Sequence, residues 1–341
     1  MRAIEYSENG PADVLHLLER ESREPAAAEV RVRIAVSGVN PTDWKSRQGQ
    51  AAGTKLSRPQ VPNQDGAGVV DAVGPGVTEF APGDRVWVWD AAYQRSDGTA
   101  QELAIIPAAQ VVALPDGVSF DVGASVGIPA LTAHRALTSR EDGPARLAPK
   151  ALVGAVVLVS GGAGAVGHAA IQLATWAGAT VLTTVSSPEK AELAAAAGAG
   201  HVINYRTEDV ASRSREIAPG GVDIVVEVNA VANIELDIDI LAPRGTIALY
   251  AGDGRDQPIV PLRAAMAKNA RLQFMLTYVT SEAQKLAAVD AVTDAMRDGA
   301  LEVGAQAGLP ITRFPLAQTA AAHQAVQDGA VGKVLIDVAA L

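Results

Sequence analysis

Cysteine does not occur among the 341 residues. That absence excludes a disulfide scaffold, a thiolate nucleophile and any cysteine-ligated zinc or iron–sulfur site. An excess of basic charge is missing as well. Lys and Arg number 28 against 38 Asp and Glu, for a net charge of −10. A duplex-binding protein carries a basic face, so nucleic acid is not an expected partner. Charge of either sign is absent from residues 151–188. About 18 apolar residues can span a membrane. This stretch, however, is broken by Ser160-Gly161-Gly162, Gly164, Gly167, His168 and Gln172. Its period also switches from a continuous apolar run to a helical pattern and back, which reads as strand, turn, helix, strand. The start, Met1-Arg2-Ala3-Ile4-Glu5-Tyr6, has charges where a signal peptide needs an apolar core. The expectation is a soluble, cytoplasmic protein with no membrane partner.

The remaining composition is that of a globular chain, with 48% hydrophobic and 19% charged residues. At roughly 150 residues per domain, two domains are expected. The first third reads as β. Residues 30–36 set Arg31 and Arg33 against Val32 and Ile34, the alternation of a half-buried strand. Residues 66–73, 84–89 and 101–106 are further short strands. Gly74-Pro75-Gly76, Ala81-Pro82-Gly83-Asp84 and Pro115-Asp116-Gly117 supply the turns between them. Such spacing predicts an antiparallel, barrel-like domain.

From residue 155 the pattern changes. Strands over 155–160, 180–185, 201–204, 222–228, 245–250 and 272–278 alternate with helices over 164–178 and 188–198. That order predicts a parallel, doubly wound sheet. The tail reads as a helix over 282–299 and strands at 313–314 and 333–338, returning to the first domain.

The strongest local signal is Val157-Leu158-Val159-Ser160-Gly161-Gly162-Ala163-Gly164-Ala165-Val166-Gly167. A buried strand meets a glycine-rich turn that opens a helix. Glycines permit a tight turn and close approach of a pyrophosphate, and the helix N-terminus offers free N–H groups to it. Gly162, Gly164 and Gly167 fit G-x-G-x-x-G. An NAD site usually carries an acid about 20 residues on. Here the strand end reads Val185-Ser186-Ser187-Pro188-Glu189-Lys190, and Asn204-Tyr205-Arg206 follows the next strand. Hydroxyls with Lys and Arg suit the 2′-phosphate of NADPH, which a carboxylate repels. Glu189 stands against this reading, and surface charge is the alternative for Lys190 and Arg206.

Several segments taken in order resemble one family. They are Ser37-Gly38-Val39-Asn40-Pro41-Thr42-Asp43, Asp65-Gly66-Ala67-Gly68-Val69-Val70, Gly83-Asp84-Arg85-Val86, Pro129-Ala130-Leu131-Thr132-Ala133, the glycine turn, Ile203-Asn204-Tyr205-Arg206 and Gly332-Lys333-Val334. The chain is similar to the zinc-independent quinone oxidoreductase branch of the medium-chain dehydrogenase/reductase superfamily, the branch that includes ζ-crystallin. The resemblance implies an α/β fold. A GroES-like β-rich catalytic domain would comprise residues 1–123 and 279–341. A Rossmann NADPH-binding domain with a doubly wound parallel sheet would comprise 124–278, with the active site in the cleft between them. Zinc-dependent relatives place Cys and His where Asn40 and Pro41 stand here, and His where Gln64 stands. None of the five histidines (His16, His134, His168, His201, His323) falls at those positions, so no metal is expected.

Without a Lewis acid or an obvious general base, alcohol oxidation is difficult, whereas hydride delivery to an electron-poor acceptor is accessible. The resemblance assigns Asn40 to the nicotinamide, with Thr132 beside it and Asp43 orienting the same loop or serving only its turn. Cofactor contacts fall on Asn40, Thr132, Gly161, Gly162, Ala163, Gly164, Ala165, Val166, Gly167, Ser186, Lys190, Tyr205, Asn229 and Lys333. Gln50 stands where many relatives carry a substrate-facing Tyr. Trp87 and Tyr93 have two readings, cleft lining and packing. The acids Glu235, Asp237 and Asp239 alternate with Ile and Leu, which favours a solvated helix face over a metal site. The implied activity is NADPH-dependent reduction of a quinone. A reductase of alkenals, enones or enoyl thioesters is the alternative, and a non-catalytic, crystallin-like NADPH-binding protein is a third. The apolar strand over 272–278 predicts a sheet edge covered by a second copy, giving a homodimer or homotetramer.

Overall fold

A computed structural model describes residues 1–252 and 257–340. The chain divides into two compact units. One comprises Met1–Ile128 with Ile311–Leu341, the other Pro129–Pro310.

The first unit is built on a seven-stranded, largely antiparallel sheet. Its order runs Ile311–Pro315, Lys333–Asp337, Glu29–Val39, Asp65–Val73, Arg85–Val88 and Val111–Ala113, with Leu103–Pro107 also pairing to Glu29–Val39. A second sheet orders His16–Glu19, Arg2–Glu8 and Lys55–Gln60. Alternation places Val30, Val32 and Ile34 in the core with Val86, Val88, Ile106 and Ile336. The opposite face of the long strand carries Arg31 and Arg33, both bound to Asp71. The C-terminal strand pairs antiparallel with the long strand, with Val334 opposite Val39. That register puts Lys333 beside Asn40.

The second unit holds a six-stranded parallel sheet, ordered His201–Asn204, Thr180–Val185, Val156–Ser160, Val222–Glu227, Leu241–Leu249 and Arg271–Phe274. Its two central strands, Val156–Ser160 and Val222–Glu227, are mostly apolar and buried, as cover on both faces demands. Strand order reverses beside Val156–Ser160, and ligands of doubly wound sheets bind at such a switch point.

Two boundaries differ from the sequence expectation. The return to the first unit occurs at residue 311, not 279. The intervening helix, Glu282–Arg297, buries Ala288, Ala291, Val292 and Ala295 within the second unit. Asp298 beyond its end accepts from Trp176 Nε1 at 3.0 Å, tying it to the helix Ala165–Trp176. The last parallel strand is also shorter. It ends at Phe274, and Thr277–Val279 forms a 3₁₀ turn. Among the described residues, no helix is long and apolar enough to cross a membrane.

Candidate functional site

The glycine turn joins the strand Val156–Ser160 to the helix Ala165–Trp176, as its sequence predicts. Gly161 has φ = +73°, a conformation that only glycine adopts freely. A β-carbon at Gly167 would meet the Gly161 carbonyl oxygen well inside contact distance. Helix and turn therefore touch backbone to backbone. Gly164, by contrast, is exposed, and a β-carbon there would approach only the Gly161 carbonyl, at 3.5 Å. The first amides of a helix have no intrahelical partner, and here Ala165, Val166 and Gly167 supply them. This open cradle of N–H groups fits a pyrophosphate. Replacing Gly167 by alanine is expected to move the helix off the turn. Dinucleotide affinity should fall at least tenfold, measured by nicotinamide fluorescence titration. Affinity within twofold of the wild type would rule out this packing as the basis of binding.

The neighbouring strand end carries Ser186. Lys190, in the first turn of the helix Pro188–Ala196, donates from Nζ to Ser186 Oγ at 3.2 Å. Ser187 caps that helix by accepting from the Lys190 amide at 3.3 Å. The Tyr205 amide donates to the Val185 carbonyl at 3.1 Å, bringing the next strand end alongside, and its ring is exposed. Ser186, Lys190 and Tyr205 thus gather at one rim of the sheet. Thr132 is buried in the helix Phe120–Leu137, its hydroxyl 2.6 Å from that of Thr277.

Asn229 is exposed, and its backbone N–H donates to Glu227 Oε1. Glu227 ends the fourth strand in chain order and is buried. Asn233 Nδ2 donates to the same oxygen at 3.1 Å and also to Ser160 Oγ at 3.3 Å. The carboxylate therefore braces this loop against the glycine turn. Asp237, one turn further along the helix Ala230–Ile240, is buried beside it. Burial and the Glu227 carboxylate push the Asp237 carboxyl up to about 9, so it keeps its proton at neutral pH. Glu227 likewise raises the Tyr250 phenol, after burial. This corrects the reading of Glu235, Asp237 and Asp239 as one solvated face. Asp237 turns inward, while Asp239 pairs with Arg215 outside and Glu235 is exposed.

In the first unit, Asn40 precedes the helix Pro41–Gln48. Its N–H donates to Asp43 Oδ2 at 2.7 Å, and the Asp43 N–H returns to its carbonyl at 3.0 Å. Its side chain is enclosed. Nδ2 donates to Asp65 Oδ2 at 2.7 Å, and Oδ1 accepts from Lys333 Nζ at 2.7 Å. Asp65 also accepts from the Ile128 amide, at 2.9 and 3.0 Å. Asn40, Asp43, Asp65 and Lys333 are exposed by 2%, 3%, 0% and 1%. Burial, then the Asp65 charge, push the Asp43 carboxyl up to about 8. Burial also raises Asp65, to about 6, against the opposing pull of Lys333. Burial lowers the Lys333 ammonium in turn, against the opposing pull of the Asp65 and Asp43 carboxyls. Lys333, expected among the cofactor contacts, is thus turned inward onto Asn40 and Asp65, because its strand lies against the strand leading to Asn40.

Other candidates take structural places. Trp87 is fully buried, so packing is its role. Gln50 is exposed. Gln64 Oε1 accepts from the Ala92 amide at 2.9 Å. Among the described residues, no three His, Cys, Asp or Glu side chains are grouped to hold a metal ion.

Comparison with known proteins gives matching families for both units. The alcohol dehydrogenase GroES-like domain family matches residues 26–116, and the zinc-binding dehydrogenase family matches residues 165–293. A quinone oxidoreductase of Lama guanicoe is 30% identical over 342 residues, spanning 98% of this chain and 97% of its own. A 2-haloacrylate reductase of Burkholderia sp. is 30% identical over 335 residues, spanning 95% of this chain and 94% of its own. A solved structure of Escherichia coli quinone oxidoreductase complexed with NADPH has a TM-score of 0.80 and 26% identity, covering 99% of this chain and 100% of that one.

Proposed function

The chain belongs to the zinc-independent quinone oxidoreductase branch of the medium-chain dehydrogenase/reductase superfamily, and we propose that it is an NADPH-dependent reductase of quinones. The observation that carries the cofactor choice is the Ser186–Lys190 pair at the rim, where an NAD site would carry an acid. The glycine turn takes the pyrophosphate on the amides of residues 165–167. Ser186, Lys190 and Tyr205 grip the 2′-phosphate, and Asn229 takes a further contact. Thr132 and Asn40 serve the nicotinamide end. When bound, NADPH supplies a hydride to the acceptor, which takes a further proton from solvent and leaves as the quinol. The protein's own work is to orient the cofactor, exclude water and donate hydrogen bonds to the developing oxyanion. Asn40 is the donor we assign to that task, and Asp43 holds its backbone.

A second reading, reduction of an alkene conjugated to a carbonyl, draws support from the similarity to the 2-haloacrylate reductase. The deciding experiment is NADPH consumption by the purified protein. An ortho-quinone, a para-quinone, a 2-alkenal and an enoyl thioester are each run with NADPH and with NADH. Quinone turnover with little on the other two supports the proposal, and the reverse replaces it. Tight NADPH binding with no turnover on any acceptor points to the non-catalytic role. Lys190→Ala should raise the KM for NADPH about tenfold, ~1.4 kcal/mol of a charge-assisted contact, with the KM for NADH within twofold. Equal effects on both cofactors would refute the phosphate grip.

We also propose self-association through the sheet edge Arg271–Phe274, as a homodimer or homotetramer in the cytoplasm. Phe274 and Val279 are 67% and 69% exposed there, with Leu276 between them. A sedimentation experiment that returns a monomer at micromolar concentration removes this part.

A further inference from the structure

The Asn40 amide has two ends of opposite character, and its surroundings discriminate between them. An ammonium can only donate, so the group facing Lys333 Nζ at 2.7 Å must be the amide oxygen. An ionised carboxylate can only accept, so the group facing Asp65 Oδ2 at 2.7 Å must be the amide nitrogen. Charge, not packing, therefore decides the orientation of a side chain whose two ends have nearly the same shape. Asp65 is itself fixed by the Ile128 amide, and the Lys333 stem lies against Gly38, where a β-carbon would stand 3.2 Å from Lys333 Cε. Both clamps are thus built into the backbone.

We infer that Lys333 is a positioning residue that holds the Asn40 amide in one orientation, so that its second Nδ2 hydrogen is presented as a donor to the acceptor's carbonyl oxygen. Among the described residues, that hydrogen has no partner. An ammonium on Oδ1 also polarises the amide, which strengthens the remaining N–H as a donor. Without Lys333 the Asp65 carboxylate alone opposes a half turn of the amide. The polarisation of the remaining N–H is lost, and any rotated fraction presents an oxygen, which repels a developing oxyanion. The inference rests on the reading of Asn40 as the donor in a reductase.

The test is a double-mutant cycle on Lys333→Met and Asn40→Ala, run on the whole protein. The expected result is a turnover number at least tenfold lower in Lys333→Met, with the KM for NADPH within threefold of wild type. In the Asn40→Ala background the same change should cost less than twofold. A loss of equal size in both backgrounds, or no loss in the first, overturns the inference. If Lys333→Met fails to fold, Lys333→Gln replaces it in the same cycle and the same thresholds apply. The side-chain amide resonances of Asn40 give a readout without turnover. Wild type should show two separated, slowly exchanging Nδ2 protons, and the Lys333 variant should lose that protection. Unchanged resonances defeat the inference even if the enzyme is active. Wild type that shows the resonances but reduces no acceptor defeats the reductase reading instead.

Discussion

Alanine at position 65 is expected to cost about 3–5 kcal/mol of unfolding free energy, the penalty for leaving a buried charge without its partner. Asp65 is fully buried and accepts from Asn40 Nδ2 and the Ile128 amide while facing Lys333 Nζ at 3.8 Å. Its removal strands two donors and an ammonium in a space that excludes water. The amine has one escape, which is to lose its proton. Burial already lowers the Lys333 pKa, and Asp65 is the first of the two carboxyl groups that oppose this. The Asp65→Ala deficit should therefore shrink at alkaline pH, where neutralising the amine costs less. Adding Lys333→Met should restore a large part of the loss, because an apolar chain replaces the orphaned charge. Urea titrations of the two single variants, the double variant and wild type at pH 7 and pH 9 measure all three effects. A loss under ~1 kcal/mol in Asp65→Ala would show that this cluster is not dry, and the electrostatic argument for it would fall.

How much of this was legible depends on how local each cause is. The dinucleotide turn was readable because strand, glycines and helix follow within a dozen residues, and the change of hydrophobic period marks their junction. The Ser186–Lys190 pair was readable for the same reason, being one helical turn apart. The end of the last parallel strand was not. Nothing in Leu272–Tyr278 itself stops the ladder. Thr277 is instead met by Thr132, 145 residues earlier, with their hydroxyls 2.6 Å apart. The helix Glu282–Arg297 announces an apolar stripe, but a stripe does not say which unit it packs on. Asn40 was found from its motif, yet the network that encloses it joins residues up to 293 positions apart. Asp65 lay in plain view within Asp65-Gly66-Ala67-Gly68, without a role. A signal existed for Glu227, a carboxylate closing an apolar run from residue 222 in which Asp223 is the one other charge. Asp237 sits among acids that alternate with Ile and Leu, which hides that it shares the inward helix face of Ile234 and Ile238 at helical spacing.

That acid pair leads to the last expected result. Asp237→Asn should match wild type only near pH 4 and be more stable than it at pH 6, by a margin that widens further up to pH 9. An unfolded Asp releases its proton near pH ~3.9, whereas the folded one holds it up to about 9. Between those values the native state binds the extra proton. Its contribution is complete below the lower value and is lost as pH rises through the upper one, at up to ~1.4 kcal/mol per unit. His134 and His168, pushed down to about 4 by burial, act with the opposite sign. The unfolded histidines bind more protons between about 4 and ~6.5, so they offset the Asp237 trend there and cease to do so above it. From pH 6.5 to 9 the Asp237 slope stands, joined by Asp43 up to about 8 and opposed by Lys333, whose pKa burial lowers. Both of those groups are common to wild type and variant, so the difference isolates Asp237. Asparagine cannot titrate, and its amide donates to Glu227 as the carboxylic acid does. Wild type should therefore lose about 3 kcal/mol more than Asp237→Asn across that interval. Parallel stability curves for the two proteins would mean that Asp237 does not carry the proton, and that Glu227 braces the loop without it.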